Sequence, residues 1–301
     1  MTESTYHDGE LAVQKRAGVQ AMAARIGHGI RTQIPRPAAD FLSEQRFAVL
    51  GALADDGRMW ASIVTGEPGF LSAIDVDTLR VSAAPSSDDP LADVWSRPAE
   101  VGLLAIDFAE RRRMRINGNS RPAGRGLEIA TEQVYANCPK YIQAREITPS
   151  APPAAAGRLA KHSPALGPEA SRIVSSADTF FVASAAPGLG ADVSHRGGEP
   201  GFVTVVDDRT LLWPDYSGNT MFQTLGNIAK DGRSGLLFVD FPTGNVVQLT
   251  GTARILWDDP RIARTPGAER LVEFTVEHLV ERVGAVPFQW RLVDRSPFNP
   301  R

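Results

Sequence analysis

Short apolar runs, each closed by glycine, proline or aspartate, recur along most of the chain, and their period is mainly that of strands. Phe47-Ala48-Val49-Leu50 and Phe180-Phe181-Val182-Ala183 are rich in β-formers. Each leads into a glycine-containing turn, at Asp55-Asp56-Gly57 and at Pro187-Gly188, before another extended stretch, which predicts hairpins. Downstream come Phe202–Val206, a turn at Asp207-Asp208, Thr210–Trp213, a polar loop, a short helix around Met221–Ala229, and strands over Gly235–Phe241 and Val246–Thr252. Six strands with one embedded helix fit a small barrel better than an immunoglobulin-type sandwich. Near the end Val272, Phe274, Val276 and Val280 alternate with charged or polar residues, a strand pattern that puts His278 on the apolar face. At the start Asp8 is placed to cap a helix whose apolar positions are Leu11, Val19, Met22 and Ile26, stopped by Gly27 and Gly29.

The pattern occurs twice. Gly66-Glu67-Pro68-Gly69-Phe70 returns as Gly198-Glu199-Pro200-Gly201-Phe202, an offset of 132 (198 − 66), and Ser62/Ser194, Asp75/Asp207 and Thr78-Leu79/Thr210-Leu211 keep it. After a single-residue gap, Gly102-Leu103-Leu104 matches Gly235-Leu236-Leu237, Gly118 matches Gly251 and Arg121 matches Arg254. A collinear match of this length predicts two barrel-like modules, near 44–122 and 176–256. Residues 144–170, with Pro149, Pro152-Pro153, Ala154-Ala155-Ala156 and Pro164, have the composition of a linker. The expected division is 1–143 for the opening helix and first module, 144–170 for the linker and 171–301 for the second module with its C-terminal strand.

Composition narrows the function. With 43% apolar residues in 301 the chain has material for real cores, and 32 Lys/Arg against 35 Asp/Glu leave no footprint for nucleic acid. The one basic run, Arg111-Arg112-Arg113, reads as a solvated face. No apolar stretch spans a bilayer and the first residues resemble no signal sequence, so the expected compartment is the cytoplasm, with no nucleic-acid or membrane partner. A single cysteine, Cys138, excludes an internal disulfide and a cysteine-rich metal site, and the histidines show no ligand spacing, so no metal is expected. Signatures for serine hydrolases, zinc peptidases, P-loop enzymes and dithiol oxidoreductases are missing. Gly188-Leu189-Gly190 is a turn, not a dinucleotide fingerprint.

Three segments carry candidate chemistry. Trp213-Pro214-Asp215-Tyr216-Ser217-Gly218-Asn219-Thr220 leaves a strand and enters a helix, so its small and polar residues either bind a phosphate at the helix start or cap that helix. The first copy has Asp88-Asp89 at this place, which oppose an anion, so an anion site belongs to the second copy. In Arg113-Met114-Arg115-Ile116-Asn117 the polar residues share one face of a strand, where they meet either a ligand or paired carboxylates. Ser194-His195-Arg196-Gly197-Gly198 joins two donors to glycines that permit close approach by a ligand. Cys138 is either a packing residue at a helix end or a reactive thiol.

The runs Arg-Arg-Met-Arg-Ile-Asn-Gly (112–118), Asn-Cys-Pro-Lys-Tyr-Ile (137–142), Asp-Val-Ser-His-Arg-Gly-Gly (192–198), Trp-Pro-Asp-Tyr-Ser-Gly-Asn (213–219) and Ser-Pro-Phe-Asn-Pro (296–300) resemble those of flavin-nucleotide-binding proteins related to pyridoxamine 5′-phosphate oxidase. The resemblance implies a mainly β fold of two tandem split barrels, FMN as cofactor, and a site where the barrels meet. It implies that Ser217, Gly218, Asn219 and Thr220 hold the phosphate, that Arg196 and Arg115 add positive charge, that Trp213 flanks the ring, and that His195, Gly197, Pro214 and Asp215 complete the site. The family's Tyr-x-Ser-Arg-Lys segment, set on Tyr216, places Gly218, Asn219 and Thr220 at the Ser, Arg and Lys positions, so both cations are missing. The implied function is electron or hydride transfer through the flavin, with no assignable catalytic side chain. Expected partners are a small-molecule substrate, NAD(P)H or a reductase partner, and a second copy in a homodimer. The alternatives are a non-catalytic flavin or haem module and an enzyme using F420.

Overall fold

The computed structural model of the chain describes residues 5–148 and 160–300. Met1–Ser4 and the proline- and alanine-rich heart of the expected linker, 149–159, lie outside the described residues. Three helices open the chain, α1 (Asp8–Arg16), α2 (Gln20–Gly27) and α3 (Arg36–Ser43). The first sheet follows: β1 (Phe47–Leu53), β2 (Met59–Thr65), β3 (Leu71–Asp75), β4 (Thr78–Val81), β5 (Ala99–Asp107), β6 (Arg112–Ala123) and β7 (Gly126–Asn137). After β8 (Ala144–Thr148), β9 (Lys161–Ser163) and α4 (Pro168–Ser176) comes the second sheet. Its strands are β10 (Thr179–Ala186), β11 (Gly190–Gly197), β12 (Thr204–Val205), β13 (Thr210–Tyr216), β14 (Arg233–Asp240), β15 (Asn245–Leu256) and β16 (Ala268–Arg282), with α5 (Gln223–Lys230) between β13 and β14. A last strand, β17 (Gln289–Asp294), pairs with β8.

Strand order is β2-β1-β5-β6-β7-β4-β3 in the first sheet and β11-β10-β14-β15-β16-β13-β12 in the second, the same order twice. All pairings are antiparallel, and the protein is two tandem split barrels. Each has a bulge on its long closing strand, opposite Asn117/Gly118 on β7 and Thr250/Gly251 on β16. At both places the glycine lies so close to the carbonyl of the facing strand, of Ala130 or of Thr275, that no side chain fits.

The structure corrects several expectations. Seven strands, not six, form the common path of each sheet, with β9 added beside β16 in the second, and the equivalence extends past 44–122 and 176–256 to β7 and β16. The stretch 126–137 gave no sign of this, because Thr131, Glu132 and Gln133 break its alternation. The equivalence also runs backward: α3 and α4 start 132 residues apart (168 − 36), and Arg31 bridges β7 as β9 pairs β16. The described parts of the stretch read as linker are therefore structured, as β8, β9 and the start of α4. Phe202–Val206 keeps only a two-residue strand. The opening helix is two helices, parted at Gly18 with φ +71°. His7, not Asp8, caps α1: its Nδ1 accepts from the Gly9 N–H, and Glu10 accepts from the His7 N–H. Leu11 and Met22 are exposed, whereas Glu10, Val13 and Gln14 are buried. His278 follows the β16 bulge, so the alternation breaks and its ring lies half-buried against Trp60 and His162.

Each module has its own apolar core, and a third core lies between them. Val49, Met59, Ala61 and Leu104 from the first sheet meet Phe181, Ala183, Val193 and Leu237 from the second. Glycines bring the backbones close. A Cβ on Gly102 would lie 2.7 Å from Cα of Asp192, and one on Gly235 would lie 2.6 Å from Cα of Trp60. These contacts are pseudo-twofold equivalents, since Gly102 matches Gly235 and Trp60 matches Asp192. Trp290 of β17 closes one end against Phe47, Phe108 and Phe241. No helix among the described residues is long and apolar enough to cross a membrane.

Candidate functional site

Where β6 of the first module faces β11 and β13 of the second, the surface opens into a cleft of about 560 Å³. Its floor carries Arg115, Ser194 and Arg196, and one wall is the turn Asp215–Thr220. The first turn of α5, Gln223 to Leu225, points into it, while Arg16, Val19 and Met22 of the opening helices form a rim. A second, inner pocket of about 80 Å³ adjoins it, sharing Arg196, Tyr216 and Asn219 with it and lined also by Arg113, Cys138 and His195.

Local conformation explains the turn. Thr220 and Phe222 both have φ near +60°, rare for residues with side chains, so the chain reverses sharply before α5. Asn219 Oδ1 accepts from the Met221 N–H at 3.2 Å, and α5 begins after Phe222 with no side-chain cap. Neither Ser217 nor Asn219 caps the helix, which removes the bland reading of this segment. The Tyr141 hydroxyl donates to the Ser217 carbonyl at 2.9 Å and fixes the outer edge. Tyr141 is held in turn by the C-terminal motif: its N–H donates to Ser296 Oγ, and Asn299 and Ser296 bind the buried amide of Gln143.

The predicted residues separate into groups. Ser217, Gly218, Asn219, Thr220, Arg115, Arg196 and Asp215 all line the cleft, and His195, Gly197 and Pro214 line the inner pocket. Trp213 does not. It is 1% exposed and packs in the second module's core against Phe180 and Phe274, because β13 turns Leu211 and Trp213 inward before its irregularity at Asp215. Tyr216, Phe222 and Trp257 are the aromatic walls instead. Gly197 does admit a close approach, but of the Tyr141 carbonyl and not of a ligand.

Electrostatics divide the arginines. The guanidinium of Arg115 contacts Asp192 at 3.0 and 3.2 Å and donates to Tyr135 and Ser194, so its charge is neutralised across the module interface. Although burial works against it, Asp192 and Tyr135 raise its pKa further. Arg270 pairs with Asp215 at 2.6 Å. Arg196 is different: its nearest carboxylate, Asp215, is 3.8 Å away, its Nε is unpartnered, and burial lowers its pKa. His195 is 2% exposed between Phe108 and Phe181, and burial and then Arg113 hold its pKa well below the ordinary value. The imidazole is neutral, Nδ1 accepts from Arg113 at 2.9 Å, and the proton sits on Nε2, which has no partner.

Sequence reasoning missed Arg16, Trp257, Arg270 and Tyr141. Arg16 and Arg270 each lie over the Trp257 ring, 4.6 and 5.0 Å from its centroid. Their separation along the chain hid them. Among the described residues, ten buried polar side-chain atoms lack a partner, and seven belong to residues of the cleft or inner pocket: Arg113, Arg115, Asn137, His195, Arg196, Thr220 and Arg270. Six of the seven are donors.

Residues 166–285 match the family model described as pyridoxamine 5′-phosphate oxidase. No protein of curated function matches the sequence. Among solved structures, a HupZ variant from Group A Streptococcus is 17% identical, covering 38% of this chain and 98% of its own with a TM-score of 0.33. A Clostridium acetobutylicum protein related to general stress protein 26 is 16% identical, covering 42% and 92% with a TM-score of 0.29. The FAD binding protein from Mycobacterium smegmatis is 16% identical, covering 39% and 95% with a TM-score of 0.29. The second module, which spans the matched residues and supplies β11, β13 and α5 to the cleft, is thus similar in sequence to the pyridoxamine 5′-phosphate oxidase family.

Proposed function

We propose that the cleft binds FMN and that the protein is an oxidoreductase working through that flavin. The observation that carries the reading is the cluster of unpartnered donors, since buried donors without acceptors are costly and are retained where a ligand completes them. Arg196, Thr220 and the uncapped start of α5 converge on one end of the cleft, and these groups are suited to a phosphate. They stand in for the Arg-Lys pair that the turn lacks at Asn219 and Thr220. Tyr216, Phe222 and Trp257 give the same cleft apolar walls for a ring system.

When bound, the flavin supplies the redox chemistry, and the chain's own groups bind, orient and exclude water. Arg196 provides the positive charge. The Arg115–Asp192 pair fixes the floor, and the Tyr141 hydroxyl holds the Ser217 edge. A second reading, a flavin carrier without turnover, is favoured by one feature: Arg115 of the floor is tied to Asp192, and Asp215 of the wall to Arg270.

Titrating the purified chain with FMN, F420 and haem by absorbance tests the cofactor. Saturable FMN binding with reduction by NAD(P)H is the expected result. Binding without reduction supports the carrier, and tight binding of F420 or haem alone overturns FMN.

A further inference from the structure

The inner pocket has a charge imbalance that the flavin reading does not use. Four cations line it, Arg113, Arg115, Lys140 and Arg196, against one carboxylate, Asp215. Arg115 is neutralised by Asp192, and Asp215 is claimed by Arg270 at 2.6 Å. Arg113 and Lys140 make no ion pair among the described residues. The partners of Arg113 are all neutral: Nδ1 of His195 at 2.9 Å, the Cys138 carbonyl at 2.8 Å and the Lys140 carbonyl at 3.5 Å. Burial and then its neighbours Arg115 and Arg196 push its pKa down to about 9. A half-buried guanidinium held by neutral acceptors and flanked by other cations lacks a counter-ion.

Besides Nε of Arg115 and of Arg196, three orphan polar atoms of the pocket's lining belong to residues with no ion pair among the described residues, Nε of Arg113, Nε2 of His195 and Oδ1 of Asn137. The two nitrogens are donors, and the neutral state of His195 makes its Nε2 a donor without adding charge. At about 80 Å³, against about 560 Å³ for the outer cleft, the pocket has room for a small group and not for a ring system.

We propose that this inner pocket is a subsite for a small carboxylate, seated among Arg113, Lys140 and Arg196 and beside the thiol of Cys138. The planar fork of a guanidinium matches a carboxylate. The proposal stands on the pocket alone, and rests on the flavin reading only in taking the carboxylate as the substrate's acid group. The substrate class is then a small organic acid whose remaining atoms extend toward the outer cleft.

Cys138, the only cysteine, lines the same pocket and makes the test direct. The full chain is alkylated with iodoacetate and, separately, with iodoacetamide, reagents of similar size that differ in the carboxylate. The expected ratio of the two rates exceeds that of free cysteine by at least about tenfold, and acetate protects Cys138 where chloride at equal ionic strength does not. Lys140→Gln and Arg113→Gln bring the ratio down toward that of free cysteine. In parallel, acetate is titrated calorimetrically into wild type and Lys140→Gln, a half-buried turn position whose side chain makes no ion pair among the described residues. Saturable acetate binding weakened about tenfold or more by the substitution supports the proposal even if Cys138 reacts with neither reagent. Equal effects of acetate and chloride overturn it. Both measurements read the pocket without flavin, so failure of FMN binding leaves the outcome distinct.

Discussion

Arg196 sits at the mouth between cleft and inner pocket with a charge that Asp215, 3.8 Å away, compensates weakly. Arg196→Ala is expected to raise the dissociation constant for FMN by about tenfold to a hundredfold, from the loss of roughly 1.5–3 kcal/mol of charge-assisted bonding. The unfolding midpoint of the flavin-free protein moves little. Fluorescence titration and thermal unfolding on the one variant decide the matter, and an unchanged flavin affinity removes Arg196 from the site. Glu10 makes a different prediction. It is 2% exposed on α1, and burial, with Asp192 adding, raises its pKa to about 8. In the unfolded chain it ionises above about 4.5, so between those values only the folded state keeps the proton. Stability therefore falls as pH rises through that window, by up to about 1.4 kcal/mol per pH unit from this group. Glu10→Gln is expected to flatten the dependence, and denaturant midpoints at pH 5, 7 and 9 read it. Single residues were legible in the sequence where identity alone suffices, as for the small and polar turn 217–220. They were not where a partner lies in the other module: nothing near Arg115 announces Asp192.

Helices α1 and α5 cross at Gly9 and Gly226, and a Cβ on Gly226 would lie 2.7 Å from Cα of Glu10. Gly226→Ala is expected to cost about 1–3 kcal/mol by overpacking and, because α1 carries Arg16 to the cleft, to weaken FMN binding as well. Chemical denaturation checks the first effect and flavin titration the second. A stability loss with unchanged affinity would show that the α1 rim is remote from the ligand. Strands were legible from their runs because both sides of a central strand are buried here, as in β1 and β10, whose residues are almost all buried. Helix boundaries were less so. Gly18 parts α1 from α2 within a pattern that a longer helix also satisfies, and Phe222 takes a left-handed conformation that its sequence gives no reason to expect.

Across the whole molecule the pseudo-twofold relation creates two equivalent positions between the modules, and they are treated differently. Gln248 stands where Arg115 stands in the first copy, and Arg282 where Asn137 does, each facing the matching residue of the strand before it. Arg282 reaches the buried Asp89 at 2.6 Å, and Asp89 also accepts from Ser62 and from Gln248, so this twin of the cleft is filled by an ion pair. The opposition to an anion expected from Asp89 thus takes the form of a plug, its charge already matched. One flavin per chain is the expected stoichiometry, and two equivalent sites by calorimetry would contradict it. Arg282→Ala leaves Asp89 unpaired in the interior and is expected to destabilise the protein by about 3–5 kcal/mol, measured by chemical denaturation. The plug has a further meaning. In a symmetric pair of identical chains every substitution appears twice, so neither half changes without its mate. Here the two halves are separate stretches of one inheritance, free to drift apart, and the glycine contacts that lock their backbones together make the molecule permanently left- and right-handed in its roles: one side keeps a doorway, and the other has become a hinge pin.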